Sequence, residues 1–298
     1  MTDHAIPTIA ADTRQDDRER RAARMSAVIR YTLLTVVGLL MLYPLIWLIG
    51  ASFKTNSEIF GSIGFIPQNP TFDGYIKGWE TSTPYTFGRF FWNTFLIILP
   101  KPVFTAMSCA LVAYGFARFE FPGKKILFTS LIATLLLPNV VTRIPQYILF
   151  RDLGWLDSYL PLWVPSAFAG DAFFVFMLIQ FLRAIPRDME EAARVDGANS
   201  LQTLIYIVVP MLTPALISVA LFQFMWTMND FLGPLIYLSS VEKFPVSLAL
   251  KLSIDTTEAF DWNRILAMSV LALLPALIVF FMAQKYFIEG ISAGGVKG

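Results

Sequence analysis

The chain has 298 residues, 56% of them hydrophobic and only 15% charged, with a formal net charge of +1 and a mean hydropathy of +0.59. A soluble domain carries about a quarter charged residues, so this composition excludes a water-exposed globule, and the near-neutral balance points to no nucleic acid. One cysteine, Cys109, and one histidine, His4 in a polar N-terminal stretch, exclude an internal disulfide, a thiolate metal cluster and any His-based catalytic or metal site in the apolar part.

Uncharged apolar runs cover residues 31–53, 201–229 and 265–284. Runs longer than about 18 residues read as membrane spans. The pattern predicts an all-α membrane protein with six transmembrane helices. The polar, Arg-rich start shows no cleavable signal, so the first span is expected to be retained. Residues 1–27 form a polar tail, solvated or disordered over 1–24, and the first span covers about 28–52. The longest loop, 54–87, contains "GFIPQNPTFDGY" and reads as turns and short helices. The second span, 88–117, is expected to break at Pro100–Pro102, and the third, 125–146, to bend at Pro138. The remaining spans are expected at 159–183, 205–238 with a helical lead-in, and 263–286. Of the 23 lysines and arginines, 14 fall on the N-terminal side of this topology and 8 on the other, with Lys101 in mid-span. The positive-inside rule then puts both termini in the cytoplasm.

Between spans four and five stands "EEAARVDGANSLQTLIYIVVP", Glu190 to Pro210. Met189, Ala192 and Ala193 share one side of a helix, while Glu190, Glu191, Arg194 and Asp196 decorate the rest. Gly197 can end the helix in the left-handed conformation. Asn199 and Gln202 match the capping box of a second helix that climbs toward Pro210. A short rigid helix joined to a span can act as a lever; a solvated connector would have the same spacing.

The spacing also resembles the EAA signature of binding-protein-dependent ABC importer permeases: Glu191-Ala192-Ala193, three residues, Gly197, nine residues, Ile207-Val208-Val209-Pro210, with Val209 in place of the usual Leu. "YPLIWLIGASFK" at 43–54, "AYGFARFEFPGKK" at 113–125, "MNDFLGPLIYL" at 228–238 and "GISAGGVKG" at 290–298 are similar to carbohydrate permeases of the maltose-transporter type, except that Met228 stands where Trp is common. The resemblance implies the MetI-like fold in the inner membrane, with a permease domain over 28–289. It makes 188–199 a coupling helix that docks on a cytoplasmic ATPase dimer through Glu190, Glu191, Ala192, Ala193, Asp196, Gly197 and Ala198. The tail, 290–298, would touch the same ATPase through Gly294, Gly295 and Lys297. A second homologous permease and an extracytoplasmic solute-binding protein complete the expected assembly, and the partner ATPase holds the ATP and Mg. The residues agree that this chain has no nucleotide site of its own. Its only Gly-Lys pair, Gly123-Lys124, lacks both the upstream Gly and the following Ser or Thr of a P-loop.

Ionisable groups inside spans suggest function. Lys101 and Asp171 lie near mid-depth of spans two and four, and Arg143 follows the Pro138 bend. Lys101 and Asp171 can pair structurally, or Lys101 and Arg143 can line a path for an acidic, uronate-containing oligosaccharide. Gln223, Trp226, Asn229 and Asp230 on span five suit sugar hydroxyls and C–H faces, although aromatics also form interface belts. Ala106, Ala110, Ala113 and Ala117 form a small-residue packing stripe, a candidate contact for the second permease. An ion-gradient transporter is the main alternative, but it calls for paired broken helices in repeated halves. An intramembrane hydrolase needs an acid–base pair within reach, which the sequence does not offer. No catalytic residue and no metal site are expected.

Overall fold

The computed structural model describes residues 9–81, 83–255 and 261–295, which divide into two compact units at Phe72/Asp73. The first unit is dominated by α1, Ile9–Ala51, of 43 residues. The helix starts well before the expected span, so residues 9–24 are helical and not an irregular tail. Their run of Ala, Arg and Glu explains why, since all three are strong helix formers. From Ala23 to Ala51 the helix is apolar enough to cross a membrane. Leu40 and Met41 on this helix are 73% and 74% exposed. The turn after α1 is held by Lys54, which is fully buried and donates to the carbonyls of Ser62 and Gly64 and to the Ser62 hydroxyl. A short helix, α2 (Asn56–Gly61), closes this turn.

In the second unit, α3 (Asp73–Glu80) lies on α15 (Trp262–Gly295). Contact is close because two glycines permit it: a Cβ on Gly74 would stand 2.6 Å from the Asn263 carbonyl oxygen, and one on Gly78 would stand 2.9 Å from Met268. Next come α4 (Phe87–Ile98) and α5 (Pro100–Arg118). The expected break at Pro100–Pro102 does not occur. Leu99 keeps helical dihedrals (φ −72°, ψ −42°) and its N–H reaches the Phe95 carbonyl at 3.0 Å, so the two helices run on as one 32-residue stretch. Both prolines stand in the first turn of α5, where a missing N–H is least costly.

Helices α6 (Lys124–Leu135) and α7 (Asn139–Asp152) bend by 107° around Pro138, as expected. The real interruption lies in span four. There α8 (Leu160–Trp163) passes into a 3-10 turn (Val164–Phe168) and a left-handed Ala169 (φ 52°) before α9 (Ala172–Ala184) begins. The stripe of α5 packs within this chain. Ala110, Ala113 and Ala117 bury against Phe174, Leu178 and Leu182 of α9 and against Leu212 and Val219 of α12 (Val209–Met228). Small side chains let large ones approach, the usual means of joining helices in lipid.

Between α9 and α12 stand α10 (Asp188–Val195) and α11 (Ser200–Thr203). α10 ends in a Schellman turn: Ala198 N–H bonds Ala193 O at 2.9 Å, Gly197 N–H bonds Arg194 O at 3.0 Å, and Gly197 has φ +88°. Asn199 and Gln202 form the expected capping box, each bond 2.9 Å. A π-turn, Leu204–Val208, then leads into α12 just ahead of Pro210. Span five stops at Met228 and not at 238, because Asn229–Phe231 turn the chain into a separate α13 (Leu232–Tyr237). The chain then passes through α14 (Val246–Asp255) to α15, which continues helical to Gly295.

Five helical stretches among the described residues can cross a membrane: Ala23–Ala51, Phe87–Arg118, Leu160–Ala184, Ser200–Met228 and Trp262–Ala283. The bent α6–α7 pair makes a sixth if counted as one.

Two polar clusters fasten the ends. Arg118, last in α5, donates through Nε to Glu190 of α10 at 2.6 Å and through Nη2 to the Ile185 carbonyl at 3.1 Å, and both charged side chains are nearly fully buried. The loop before α8 is tied to the loop after α13 by Asp157, whose carboxylate accepts from the Ser239 and Ser240 amides, the Ser240 hydroxyl and Lys243 Nζ. Burial by itself would raise the Asp157 pKa, but these bonds from Ser240, Ser239 and Lys243 outweigh it and hold the carboxyl well below the usual range.

Removing one member of the Arg118–Glu190 pair, as in Glu190→Leu, strands a buried charge and is expected to cost about 3–5 kcal/mol. Arg118→Met combined with Glu190→Leu should recover most of that loss, read as thermal unfolding of the detergent-solubilised protein. The depressed Asp157 pKa means that its stabilisation is complete above about pH 4, the unfolded-chain value, and is lost only as pH falls through the lower folded value. Hydrogen exchange over residues 238–243 should therefore stay slow at about pH 4 in the parent and be fast at neutral pH in Asp157→Asn.

Candidate functional site

Three features carry the candidate residues. The first is a cavity of about 200 Å³ beside the interruption in span four. Lys101 reaches it from the first turn of α5, Thr142, Arg143 and Gln146 from α7, Ser166, Gly170 and Asp171 from the irregular segment, and Tyr237 from α13. Non-helical backbone at membrane depth survives only where it is buried or lines a cavity, and here it does the latter. The segment is fixed by the Ser108 hydroxyl, which donates to the Ser166 carbonyl at 2.6 Å. It is kept tight at Gly170, where a Cβ would meet the Pro165 carbonyl oxygen at 2.8 Å. Lys101, Arg143 and Asp171 thus share one space. Among the described residues no ion pair or hydrogen bond joins Lys101 to Asp171, although both line the cavity. Two cations against one carboxylate leave the cavity net positive. The Tyr237 ring packs edge-on against Phe150 at 5.4 Å, and its hydroxyl is buried with no hydrogen-bond partner among the described residues. Such a group costs about 1–3 kcal/mol unless something polar reaches it.

The second feature is a cavity of about 220 Å³ among α4, the end of α12, α14 and α15, lined by Asn229 and Asp230 together with Thr94, Thr227, Ser247 and Ser269. Asn229 also donates to the Met225 carbonyl at 2.8 Å, and Asp230 accepts from Gly233 N–H at 2.9 Å at the start of α13. Gln223 and Trp226 line neither cavity. Gln223 is buried and donates to the Thr227 hydroxyl at 3.3 Å. Trp226 lies against Phe173 and Phe174 of α9, with centroids 5.4 and 4.9 Å away. The span-five candidates therefore do not form one platform, because tertiary packing separates residues that a helix brings to neighbouring positions.

The third feature is α10. Glu191, Ala192, Asp196 and Gly197 are exposed, and Ala193 and Ala198 are half-buried. Val195 is 87% exposed and Met189 51%, so the outward surface is partly apolar. Glu190 is the exception among the expected docking residues: it is turned inward onto Arg118 and is not available to a partner in this arrangement. Gly294 and Gly295, expected in the C-terminal tail, belong to the last turn of α15; Lys297 lies outside the described residues.

Sequence reasoning missed Thr142, Gln146, Ser166 and Tyr237, and it put the broken span two spans too early. The available signal was "PLWVPSAFAGD" at 161–171, two prolines and a Gly-Asp inside an apolar stretch. It also missed the Arg118–Glu190 lock, whose only trace is an Arg closing one span and a Glu opening the facing loop.

Residues 103–292 match the family of binding-protein-dependent transport system inner membrane components. A probable ABC transporter permease of Pyrococcus horikoshii is 30% identical over 88% of this chain and 94% of its own length. The arabinooligosaccharides transport system permease AraQ of Bacillus subtilis is 30% identical over 88% of this chain and 93% of its own. Among solved structures, a chain of a bacterial ABC transporter involved in the import of the acidic polysaccharide alginate superposes with a TM-score of 0.75 at 25% identity, covering 90% of this chain and 98% of that one. With the EAA helix, the spanning helices and these likenesses together, the chain belongs to the binding-protein-dependent transport system inner membrane components: it is a multi-pass inner-membrane permease subunit of an ABC importer, a transport subunit and not an enzyme.

Proposed function

We propose that this permease imports an acidic oligosaccharide, one containing uronate units, handed over by an extracytoplasmic binding protein and driven by a cytoplasmic ATPase dimer. The carrying observation is that Lys101 and Arg143, far apart in sequence, line one cavity with hydroxyl and amide groups around them. A neutral sugar has no use for fixed positive charge in its path, whereas a carboxylate does. Asp171, Gln146 and Tyr237 suit hydroxyls. The likeness to an alginate importer and to an arabinooligosaccharide permease supports a carbohydrate, and the former an acidic one. The second cavity, with Asn229 and Asp230, belongs to the same route as a neutral hydroxyl-binding stretch.

In this reading both termini are cytoplasmic, and α10 with its Gly197 turn docks on the ATPase through Glu191, Ala192, Ala193, Asp196 and Ala198. A second homologous permease forms the other half of the pore, and Gly294, Gly295 and Lys297 reach the ATPase from the C-terminus. ATP and Mg stay on the partner. The Arg118–Glu190 pair makes α10 move with α5 as one body, which is what a lever requires.

Replacing Lys101 with Met and Arg143 with Gln is expected to lower uptake of a uronate oligosaccharide by about tenfold or more, since a hydrogen bond to a charged group contributes about 1.5–3 kcal/mol. Uptake of a neutral oligosaccharide in membrane vesicles should be unchanged, and equal loss of both would count against the acidic substrate. Glu191→Lys and Gly197→Asp should each reduce ATPase activity stimulated by loaded binding protein to its basal rate while the chain stays in the membrane. Gly197 acts through backbone strain, because its φ of +88° suits few other residues although a Cβ would meet nothing within 4 Å. Normal stimulation in both variants would remove α10 from the coupling path.

A further inference from the structure

A cavity of about 450 Å³ opens where α5 and α9 end and α6 begins, and its polar lining is made largely of Arg118, Lys124, Arg183 and Arg187, with Glu120 as its one carboxylate. Two of these cations are already committed. Arg118 is bound to Glu190, and Lys124 to Glu120 at 2.8 Å. The other two are not: among the described residues neither Arg183 nor Arg187 enters an ion pair, and Arg187 only donates to the Ala117 carbonyl at 3.3 Å.

Phe116 lines the cavity, and further rings stand behind it. Arg183 stands 5.7 Å from the Phe128 ring centroid, and Phe116 packs against both Phe121 and Phe128 at 5.8 and 6.0 Å. Cations with unused donors above a set of rings, at the level where spans leave the hydrocarbon, match a phosphodiester above its glycerol and acyl chains. A soluble phosphate has no use for the rings. We propose that this cavity holds the headgroup of an anionic phospholipid through Arg183 and Arg187. Arg187 immediately precedes α10, so the bound lipid steadies the root of the helix that faces the ATPase.

The test uses the purified transporter complex in nanodiscs of phosphatidylcholine doped with phosphatidylglycerol, with retained phosphatidylglycerol counted by native mass spectrometry. Both leaflets carry the same lipid, so the result does not depend on which side of the membrane the site faces or on what the permease imports. Arg183→Gln with Arg187→Gln should weaken phosphatidylglycerol retention about thirtyfold, the size expected for two basic groups at a membrane surface. Arg183→Lys with Arg187→Lys keeps the charge that each base contributes at a membrane surface and should retain more lipid than the Gln variant, which separates loss of the site from loss of the fold. Undiminished retention in the Gln variant overturns the proposal, including the case in which that variant instead sheds the ATPase subunit. Displacement of the lipid by soluble glycerol 3-phosphate also overturns it.

Discussion

In hydrocarbon every backbone N–H and C=O must find its partner within the protein, and the permease meets that demand in two ways. Most spans are unbroken helices, which satisfy themselves. Besides the bend at Pro138, one stretch between Trp163 and Ala172 leaves the helix, and it is held by a side chain: the Ser108 hydroxyl donates to the Ser166 carbonyl at 2.6 Å. Once the backbone is released from helix there, its polar groups and the carboxylate of Asp171 can face an interior space. The cavity with Lys101 and Arg143 depends on that interruption.

The same scarcity of water gives the Arg118–Glu190 pair its mechanical meaning. A surface ion pair between two elements would be loose and screened. This one is nearly fully buried and is reinforced by the bond from Arg118 to the Ile185 carbonyl, so α5, the end of α9 and α10 are pinned at a single guanidinium. The Schellman turn at Gly197 and the Asn199–Gln202 box then leave little slack between α10 and the π-turn that leads into α12. α10 is thereby tied at both ends to packed spans.

Small residues on α5 make the centre of the second unit self-contained. Ala110, Ala113 and Ala117 are filled by α9 and α12 of the same chain, so an alanine stripe in a span marks close packing without saying whose helix fills it. The Asp157 cluster plays the corresponding part at the other polar end, where one carboxylate with four donors joins two loops that are distant in sequence.

The sequence by itself determined the class, the approximate spans, the bend at Pro138, the Gly197 turn, the Asn199–Gln202 box and the EAA helix. These features are local: they follow from apolar run length, from the φ that only glycine takes easily, and from side chains reaching three residues along. Only the tertiary structure decided that Pro100–Pro102 leaves the helix intact while Gly170–Asp171 interrupts one, and that Glu190 turns inward. It also decided that Lys101 and Arg143 line one cavity while Trp226 and Asn229 part. Each of those outcomes depends on a neighbour from another helix, such as Arg118 for Glu190 or Phe174 for Trp226. Periodicity along one chain segment carries no information about which surface another segment will bring against it.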